Sequence, residues 1–510
     1  MGDAPLILGV SGLRGIVGES LTPEVAVRYA AAFAQWLQDP EAPSALTPTV
    51  VVGRDGRAGG DVIADMVVSS LRWHGCHVVD LGVAMTPTVG FAVDQITKAI
   101  GGIVITASHN PQEWNGIKCL SGRNTLLEEV RTEDTAGAAA SAPNADQAAD
   151  VIHRFQKGPG PSSTPWTMGK LTVDNRLMDL HAAAARAGFF DAIEQTDTDE
   201  QRPAFQVVID SVNCCGAAAA EALLDGYAAI TQLHGDGSGM FPHTPEPTAE
   251  NLSGNGGLCD AVPGLKADVG FAQDPDGDRL AIVDERGVYI GEEYTLAIAA
   301  EAILGAMASD RGPQAQSTEG AVLVANLSTS RMIEDVAAAY GARVERTAVG
   351  EANVVERMKA LKAAGERCVL GGEGNGGVIW PEVTYVRDSL GAMALTLGLM
   401  AREGTTVSQL VSKINGYARG GGYTIVKRKQ GLASKADAEP ALQRVAERYA
   451  GERVDTQDGV RVDFDAGARA GSWVHVRASN TEPILRLIGE AATEAAAGEL
   501  LDEVAAIVNG

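Results

Sequence analysis

Short runs of apolar, mostly β-branched residues alternate along the chain with longer stretches that are rich in alanine. Four of these runs occupy residues 50–52, 103–105, 207–209 and 322–324. Each run has the length of a buried strand, and the stretches between runs have the length of helices. Strands separated by helices predict βαβ units, and therefore an α/β fold with mostly parallel sheets. The first three units open with similar strand-then-loop patterns, which suggests a duplicated module.

Breaks in this pattern indicate where one unit ends and the next begins. Residues 158–165 are rich in proline, glycine and serine, which predicts a linker. Residues 309–313 break the third unit, and three glycines at 420–422 lie near the start of the last one. This last segment is predicted to end in strands over 473–476 and 484–488, followed by a terminal helix.

The chain of 510 residues is acidic, with a formal net charge of −25. Because such a field repels nucleic acid and anionic membranes, neither is expected as a partner. A phosphorylated ligand would need a local cluster of arginines, backbone N–H groups or a metal ion. The acidic run at 197–200 is interpreted as a solvated loop.

The six cysteines include no C-x-x-C pair, and no run reaches about 18 apolar residues. We therefore expect reduced thiols and a cytoplasmic protein.

The loop at 106–111 follows the run at 103–105 and carries Ser108 and His109. A loop at the end of such a strand places a hydroxyl at the sheet edge where open α/β folds bind ligands. A turn that merely ends the strand is the alternative. A serine hydrolase is not expected, because no G-x-S-x-G surrounds Ser108 and neighbouring side chains of an extended backbone point apart.

Three carboxylates, from Asp274, Asp276 and Asp278, alternate along a turn between two apolar runs. Such a turn is electrostatically costly without a cation, and Mg²⁺ accepts carboxylate oxygens while leaving room for a phosphate oxygen. An EF-hand is excluded because Arg279 stands where its loop requires glycine. A solvated acidic turn is the alternative.

The glycine-rich loop at 371–377 contains a literal G-x-G-x-x-G. A dinucleotide site would need a helix next, but residues 378–381 cannot easily begin one. Its glycines would instead let the backbone approach a polyol such as a sugar, with Glu373 and Asn375 bonding the hydroxyls. A bare hairpin turn is the alternative.

The turn at 477–483, followed by Arg486, gathers two guanidinium groups and two hydroxyls. Arginine forks match phosphate oxygens, so this turn is the candidate for the cationic cluster that an anionic ligand requires here. A second phosphate position could use Arg14, Arg54, Arg57 and Lys118. Taken singly, each of those four is expected to form a surface salt bridge.

In this order, the four loops resemble those of the α-D-phosphohexomutase superfamily, and the resemblance runs from residues 9–15 to Arg486. It implies three similar mixed α/β domains and a smaller C-terminal α+β domain around a central cleft. Each domain would contribute one loop. The expected domains are 1–165, 166–292, 293–405 and 406–510. In that order they would carry the phosphoserine loop, the metal-binding loop, the sugar-binding loop and the phosphate-binding loop.

The resemblance also implies roles for individual residues. Ser108 matches the phosphoserine, and its phosphate would bind the metal together with Asp274, Asp276 and Asp278. The positions near the reacting phosphate are Arg14, His109, Lys118 and Arg279. The substrate-binding positions are Glu373, Asn375, Arg477, Ser479, Asn480, Thr481 and Arg486.

The implied enzyme interconverts hexose 6-phosphates and hexose 1-phosphates through phospho-Ser108 and a hexose 1,6-bisphosphate, with Mg²⁺ as cofactor, as a monomer or homodimer. Some relatives have histidine where Glu351 and Gly377 stand here, so Lys118 and His109 are the candidate bases. The glycine-rich loop looks most like that of the archaeal-type phosphoglucosamine mutase branch. Alternatives are a broad phosphomannomutase/phosphoglucomutase, a phosphotransferase that stops at the bisphosphate, and a non-catalytic sugar-phosphate-binding paralogue.

Overall fold

The computed structural model describes residues 4–38, 47–122, 139–158, 160, 163–194, 205–254, 256–309, 317–418, 421–479 and 482–510. The acidic run at 197–200 lies outside these residues, as do parts of the breaks predicted at 158–165, 309–313 and 420–422. In the part of the chain that is described, every helix is too short or too polar to span a lipid bilayer.

The secondary structure alternates as the apolar runs predict. The strands, β1 to β20 in chain order, are Ile7–Gly9, Gly12–Ile16, Thr49–Arg54, His77–Val83, Ala99–Ile105, Trp114–Ser121, Leu171–Val173, Phe205–Asp210, Ala228–His234, Val269–Gln273, Leu280–Val283, Ala321–Asn326, Arg343–Thr347, Arg367–Glu373, Gly377–Ile379, Thr424–Gly431, Arg453–Asp455, Val460–Asp463, Trp473–Ala478 and Ile484–Ala491. The α-helices, α1 to α15, are Pro23–Leu37, Gly60–Trp73, Thr86–Gln95, Ala145–Lys157, Leu177–Glu194, Gly216–Leu224, Ala249–Leu252, Leu258–Leu265, Glu292–Ala308, Met332–Ala339, Glu351–Ala363, Ser389–Glu403, Val407–Asn415, Ala438–Arg448 and Glu494–Asn509.

The first three sheets contain the same four-strand unit, in the orders β4-β3-β5-β6, β9-β8-β10-β11 and β13-β12-β14-β15. In each unit three strands are parallel and the fourth runs antiparallel to the third. The shared order supports the duplicated module that the strand-then-loop openings suggest. The hairpins β5–β6, β10–β11 and β14–β15 carry the first three loops singled out in the sequence. The sheets are therefore mixed rather than purely parallel.

The last sheet is antiparallel throughout, in the order β16-β20-β19-β18-β17, and packs its own core against α14 and α15. It has the α+β character implied for the C-terminal domain. The two final strands predicted from the sequence are confirmed, although each extends two or three residues further.

The second and third units share one apolar core. Helices α9 and α12 are buried along most of their length, including Leu296 and Met393, because each is enclosed by other helices and sheet faces. A helix that is apolar around its whole circumference is typical of such an enclosed position. This shared core gives the second and third loops a common rigid support.

Candidate active site

Ser108 lies in the β5–β6 hairpin and adopts a left-handed backbone conformation, with φ of 51°. The residue is buried, and its Oγ lies 3.2 Å from Asp274 Oδ2 and 3.2 Å from His109 Nδ1. The prediction that the Ser108 and His109 side chains point apart is wrong, because the backbone here is not extended. Ser108 thus presents its hydroxyl to the carboxylate turn of the second unit.

The guanidinium of Arg57 positions the Ser108 loop through hydrogen bonds to its backbone. It donates to the carbonyl oxygens of Ser108 at 2.6 Å and Trp114 at 2.5 Å, and to two further carbonyls of the same loop. Its Nε pairs with Asp55 at 3.2 Å. The surface salt bridge expected for Arg57 is wrong, since only 2% of the residue is exposed. Arg57 is thus a positioning residue for the Ser108 loop, whereas the sequence analysis named it only as a candidate for a second phosphate position.

The turn between β10 and β11 brings together three fully buried carboxylates, from Asp274, Asp276 and Asp278, with ligand oxygens within 4.8 Å of one another. A solvated acidic turn is therefore ruled out. Lys118 Nζ donates to Oδ2 of Asp276 at 3.3 Å and to Oδ2 of Asp278 at 2.7 Å. The Oδ1 atoms of these two aspartates are buried without a hydrogen-bond partner. Orphaned carboxylate oxygens in this arrangement are the donor set that a hard cation requires.

The electrostatics of this turn also indicate a cation site. Burial raises the pKa of Asp274 well above its usual range, and the carboxylates of Asp278 and Asp276 raise it further. Burial would also raise the pKa of Asp278, but the charges of Arg387 and Lys118 outweigh it and hold that pKa well below its usual range. Asp274, which lies beside Ser108, is thus less well compensated than Asp278, although the charges of Arg279 and Arg387 act to lower its pKa.

Lys118, expected to form a surface salt bridge, is instead buried, with 5% exposed. Burial lowers its pKa, but Asp278, Asp276 and Glu351 outweigh burial and raise it above the ordinary value. Because both contacts hold the charged form, Lys118 neutralises the turn and is unsuited to accept a proton.

The other positions expected near the reacting phosphate surround Ser108. Arg14 Nη1 donates to Asn110 Oδ1 at 2.9 Å, and Arg279 Nε lies 3.8 Å from Asp278 Oδ1. Burial lowers the pKa of His109 to about 4, with smaller contributions from Arg279 and Arg14. His109 is therefore neutral near pH 7.

Arg387, which no sequence motif indicated, connects the carboxylate turn to the glycine-rich loop. Its guanidinium contacts Asp278 at 2.6 Å, Glu373 at 2.6 Å and Glu351 at 3.4 Å. The position follows from the next residue, Asp388, whose carboxylate accepts from the first N–H groups of α12. One buried arginine therefore fixes both loops with respect to the enclosed helix α12.

The glycine-rich loop is the β14–β15 hairpin, so the absence of a helix after it is confirmed. Glu373 accepts from Asn326 Nδ2 at 2.8 Å as well as from Arg387, and Asn375 Nδ2 lies 3.5 Å from Glu373 Oε2. This loop forms one wall of a cavity of about 410 Å³. Glu293 belongs to the same wall, and burial raises its pKa to about 8.

The opposite wall comes from the C-terminal sheet and is basic. Lys429, Arg486 and Arg477 lie in one row across β16, β20 and β19, where strand register places Arg486 directly opposite each of the other two. Lys427 also lines the cavity. Asp458 pairs with Arg477 at 3.3 Å. Lys429 and Arg486 are like charges placed directly opposite one another, which is unfavourable unless an anion neutralises them. The run 427–429 contains the only sequence-adjacent basic residues in the chain, a signal that could have identified this wall.

Ser479 follows this row, and its Oγ accepts from the N–H of Glu482 at 3.3 Å. Asn480 and Thr481 lie outside the described residues. The structure thus brings the predicted residues into two groups. Around Ser108 are the three aspartates, Arg14, His109, Lys118 and Arg279. Facing each other across the cavity are Glu373 and Asn375 on one side and Arg477 and Arg486 on the other.

Comparison with known proteins matches the chain along nearly its whole length. Four family models, described as phosphoglucomutase/phosphomannomutase alpha/beta/alpha domains I, II and III and C-terminal domain, match residues 5–142, 187–287, 293–417 and 425–507. A phosphoglucomutase/phosphomannomutase of Thermococcus kodakarensis is 33% identical, with 97% of each chain covered. A phosphoglucosamine/phosphogalactosamine mutase of Sulfurisphaera tokodaii is 30% identical, with 99% of each covered. A crystal structure of a phosphoglucomutase/phosphomannomutase family protein from Burkholderia thailandensis superposes with a TM-score of 0.73, at 23% identity and 98% coverage of both chains.

Proposed function

The chain belongs to the phosphoglucomutase/phosphomannomutase family of the α-D-phosphohexomutase superfamily, and from that premise we propose that it interconverts glucosamine 6-phosphate and glucosamine 1-phosphate through phospho-Ser108. It is a phosphohexomutase, an isomerase that transfers a phosphoryl group within its substrate, and not a non-catalytic binding paralogue. The observation that carries the proposed mechanism is the Ser108 hydroxyl facing the under-compensated carboxylate of Asp274 at 3.2 Å.

The carboxylate turn is proposed to hold Mg²⁺ through Asp274, Asp276 and Asp278, with an oxygen of phospho-Ser108 as the further ligand. When bound, Mg²⁺ would neutralise the phosphoserine and spread the negative charge that develops during phosphoryl transfer. Lys118 occupies the Oδ2 atoms of Asp276 and Asp278 and leaves their Oδ1 atoms free for the ion. Arg387 keeps Asp278 ionised and aligned.

In the first half-reaction, the bond between phosphorus and Ser108 Oγ breaks and a bond forms to a free hydroxyl of the bound hexose phosphate. The hydroxyl proton passes to a base, and neutral His109, with Nδ1 at 3.2 Å from Ser108 Oγ, is our candidate. Arg57 fixes the Ser108 loop during the transfer. The proton then passes from His109 to the Ser108 Oγ that has lost its phosphoryl group. After the bound 1,6-bisphosphate turns round, the bond between the other phosphorus and its sugar oxygen breaks. Ser108 Oγ takes that phosphoryl group, and its proton returns to the released sugar oxygen.

Within this proposal the domains 1–165, 166–292, 293–405 and 406–510 each supply one loop to the reaction. The basic row Lys429–Arg486–Arg477 holds the phosphate that is not being transferred. This phosphate is carried on C1 in one half-reaction and on C6 in the other. A row of cations is suited to bind it in both cases, because it recognises charge rather than one shape of sugar. Glu373 and Asn375 would bind the sugar hydroxyls between the two phosphate positions.

Replacement of Lys429 by methionine is expected to raise KM for the hexose phosphate about ten-fold, because one charge-assisted contact is lost. The substitution should leave kcat nearly unchanged and should not lower Tm, since it also removes a like-charge contact with Arg486. Steady-state kinetics and thermal unfolding measure both effects. Lys170→Met is the matched control, because Lys170 is exposed and does not line the cavity. A fall in kcat with unchanged KM would contradict the assignment.

An amino sugar is supported by the acidic wall of the cavity. Glu293 and Glu373 both line it, so an ammonium group on C2 of the hexose would meet the Glu373 carboxylate and would favour ionisation of Glu293, whose pKa burial raises to about 8. The 30% identical relative from Sulfurisphaera tokodaii is itself named for amino sugars. The second candidate is a phosphomannomutase/phosphoglucomutase of broad specificity, which the name of the Thermococcus kodakarensis relative favours.

The test is a side-by-side coupled assay of glucosamine, glucose and mannose 6-phosphates with Mg²⁺. We expect the highest kcat/KM for glucosamine 6-phosphate and a reduced preference in Glu293→Gln, with the exposed Glu250→Gln as control. Comparable values for all three sugars would favour the broad enzyme. Phosphorus NMR of the products separates a mutase from an enzyme that stops at the 1,6-bisphosphate.

A further inference from the structure

A second cluster of metal-ligating side chains lies in the second unit, apart from the carboxylate turn. Asp210 ends β8, His234 ends β9, and His243 lies in the loop that follows β9. His234 Nδ1 and His243 Nε2 approach the same oxygen, Asp210 Oδ2, at 3.0 Å and 2.8 Å. The three ligand atoms lie within 4.8 Å of one another. Two imidazoles and one carboxylate therefore converge on one point.

The remaining polar atoms of two of these side chains are already fixed by the backbone. His243 Nδ1 lies 2.8 Å from the carbonyl oxygen of Thr244, and Asp210 Oδ1 accepts from the N–H of Val212 at 3.0 Å. If Nδ1–H of His243 donates to that carbonyl, a neutral ring has a lone pair at Nε2, which faces the acceptor Asp210 Oδ2. Either a proton or a metal ion shared by these two atoms resolves the contact. An imidazole whose other nitrogen donates to a carbonyl is also the usual arrangement of a metal-bound histidine.

Burial fits a site that opens to solvent on one side. Asp210 is 1% exposed, whereas the His234 and His243 side chains are 27% and 20% exposed. The exposed side of the two histidines leaves room for water ligands.

We propose that Asp210, His234 and His243 bind a divalent transition-metal ion of the Zn²⁺ class, at a site separate from the all-oxygen carboxylate turn. Mixed nitrogen and oxygen donors select such ions over Mg²⁺, which prefers oxygen ligands alone. Three protein ligands with an open position also match the ligand number of a solvent-accessible zinc site.

The loop that carries His243 touches the Ser108 loop, so the ion would act on the contact between the first two units. The Phe241 ring packs under the Arg57 guanidinium, with Cζ at 4.9 Å from the ring centroid. Gln112 accepts from the N–H of Phe241 at 2.7 Å and donates to the carbonyl of Gly239 at 3.0 Å. Metal binding would therefore stabilise the surface against which the Ser108 loop rests.

The experiment titrates Zn²⁺ into chelator-treated protein kept in excess Mg²⁺, using isothermal titration calorimetry, and repeats it with Co²⁺ while recording visible absorption. We expect one Zn²⁺ per chain, a rise in Tm, and Co²⁺ bands of the intensity typical of four- or five-coordinate sites. His234→Gln and His243→Gln should each weaken Zn²⁺ binding at least about ten-fold. The exposed His153→Gln is the matched control and should bind as the unmodified protein does.

Two results would overturn the proposal. If Mg²⁺-saturated protein binds no Zn²⁺, the cluster is an Asp210–histidine ion pair occupied by a proton. If both histidine variants bind Zn²⁺ as tightly as the unmodified protein, the ion occupies another site. Thermal unfolding of each variant without Zn²⁺ identifies any variant that fails to fold. The proposal is then tested by the Tm shift that Zn²⁺ causes in the histidine variant that does fold.

Discussion

Replacement of Ser108 by alanine is expected to reduce mutase turnover by at least about 10³-fold, because the phosphoryl group then has no acceptor on the protein. Arg57 and the hairpin strands position the loop through backbone atoms, so the substitution should leave the fold intact. The mutant should still bind the hexose phosphate with an affinity close to that of the unmodified enzyme. Coupled kinetics, thermal unfolding and binding by calorimetry measure the three quantities.

Intact mass spectrometry provides the direct test of the phosphoserine. The unmodified enzyme should gain one phosphoryl group on incubation with hexose 1,6-bisphosphate and Mg²⁺, and Ser108→Ala should gain none. Ser70→Ala is the control and should be phosphorylated normally, because Ser70 is a buried serine on α2 whose hydroxyl donates to the Val27 carbonyl. Phosphorylation of the Ser108→Ala protein, or turnover near the unmodified rate, would exclude the proposed route.

The four loops could be predicted from the sequence because each is a local pattern. A strand-length apolar run followed by Ser108, or by alternating aspartates, determines both the hairpin and the chemistry of its turn within about ten residues. The glycine-rich loop is also a local pattern, since the residues after it were not expected to begin a helix, and they do not. The duplicated unit was also visible as repeated strand-then-loop openings.

The contacts through which cations hold these loops could not be predicted, because the partners are distant in the chain. Arg57 and the Ser108 carbonyl are 51 residues apart, Lys118 and Asp278 are 160 apart, and Arg387 and Asp278 are 109 apart. An isolated arginine or lysine is exposed far more often than it is buried, so a surface salt bridge is the reasonable expectation for each. Only the three-dimensional arrangement shows that these cations pair with the buried carboxylates. The basic row is a similar case, since strand register and not spacing aligns Lys429 with Arg486.

Replacement of Arg387 by methionine is expected to have the largest effect on stability among substitutions in the site. It leaves the carboxylates of Asp278, Glu351 and Glu373 buried without their shared cation. Removing one partner of a buried ion pair typically costs about 3–5 kcal/mol. Because the same guanidinium joins the metal-binding turn to the sugar-binding loop, we also expect kcat/KM to fall by at least about 100-fold. Calorimetric Tm and steady-state kinetics measure the two effects.

A second substitution, which removes one of the three carboxylate charges, tests why Arg387→Met loses stability. If the carboxylates that lose their cation cause the instability, Glu351→Gln in the Arg387→Met background should recover part of the lost Tm, because one of the three carboxylates is then replaced by a neutral amide. Arg387→Lys should fall between the unmodified protein and Arg387→Met, since an ammonium group keeps the charge but cannot bond Asp278 and Glu373 as a fork. Arg176→Met, at a side chain that is 83% exposed and paired with Asp174, is the control and should change Tm little. An Arg387→Met protein with unchanged Tm and kinetics would show that the three carboxylates do not depend on Arg387, and that another group aligns the two loops.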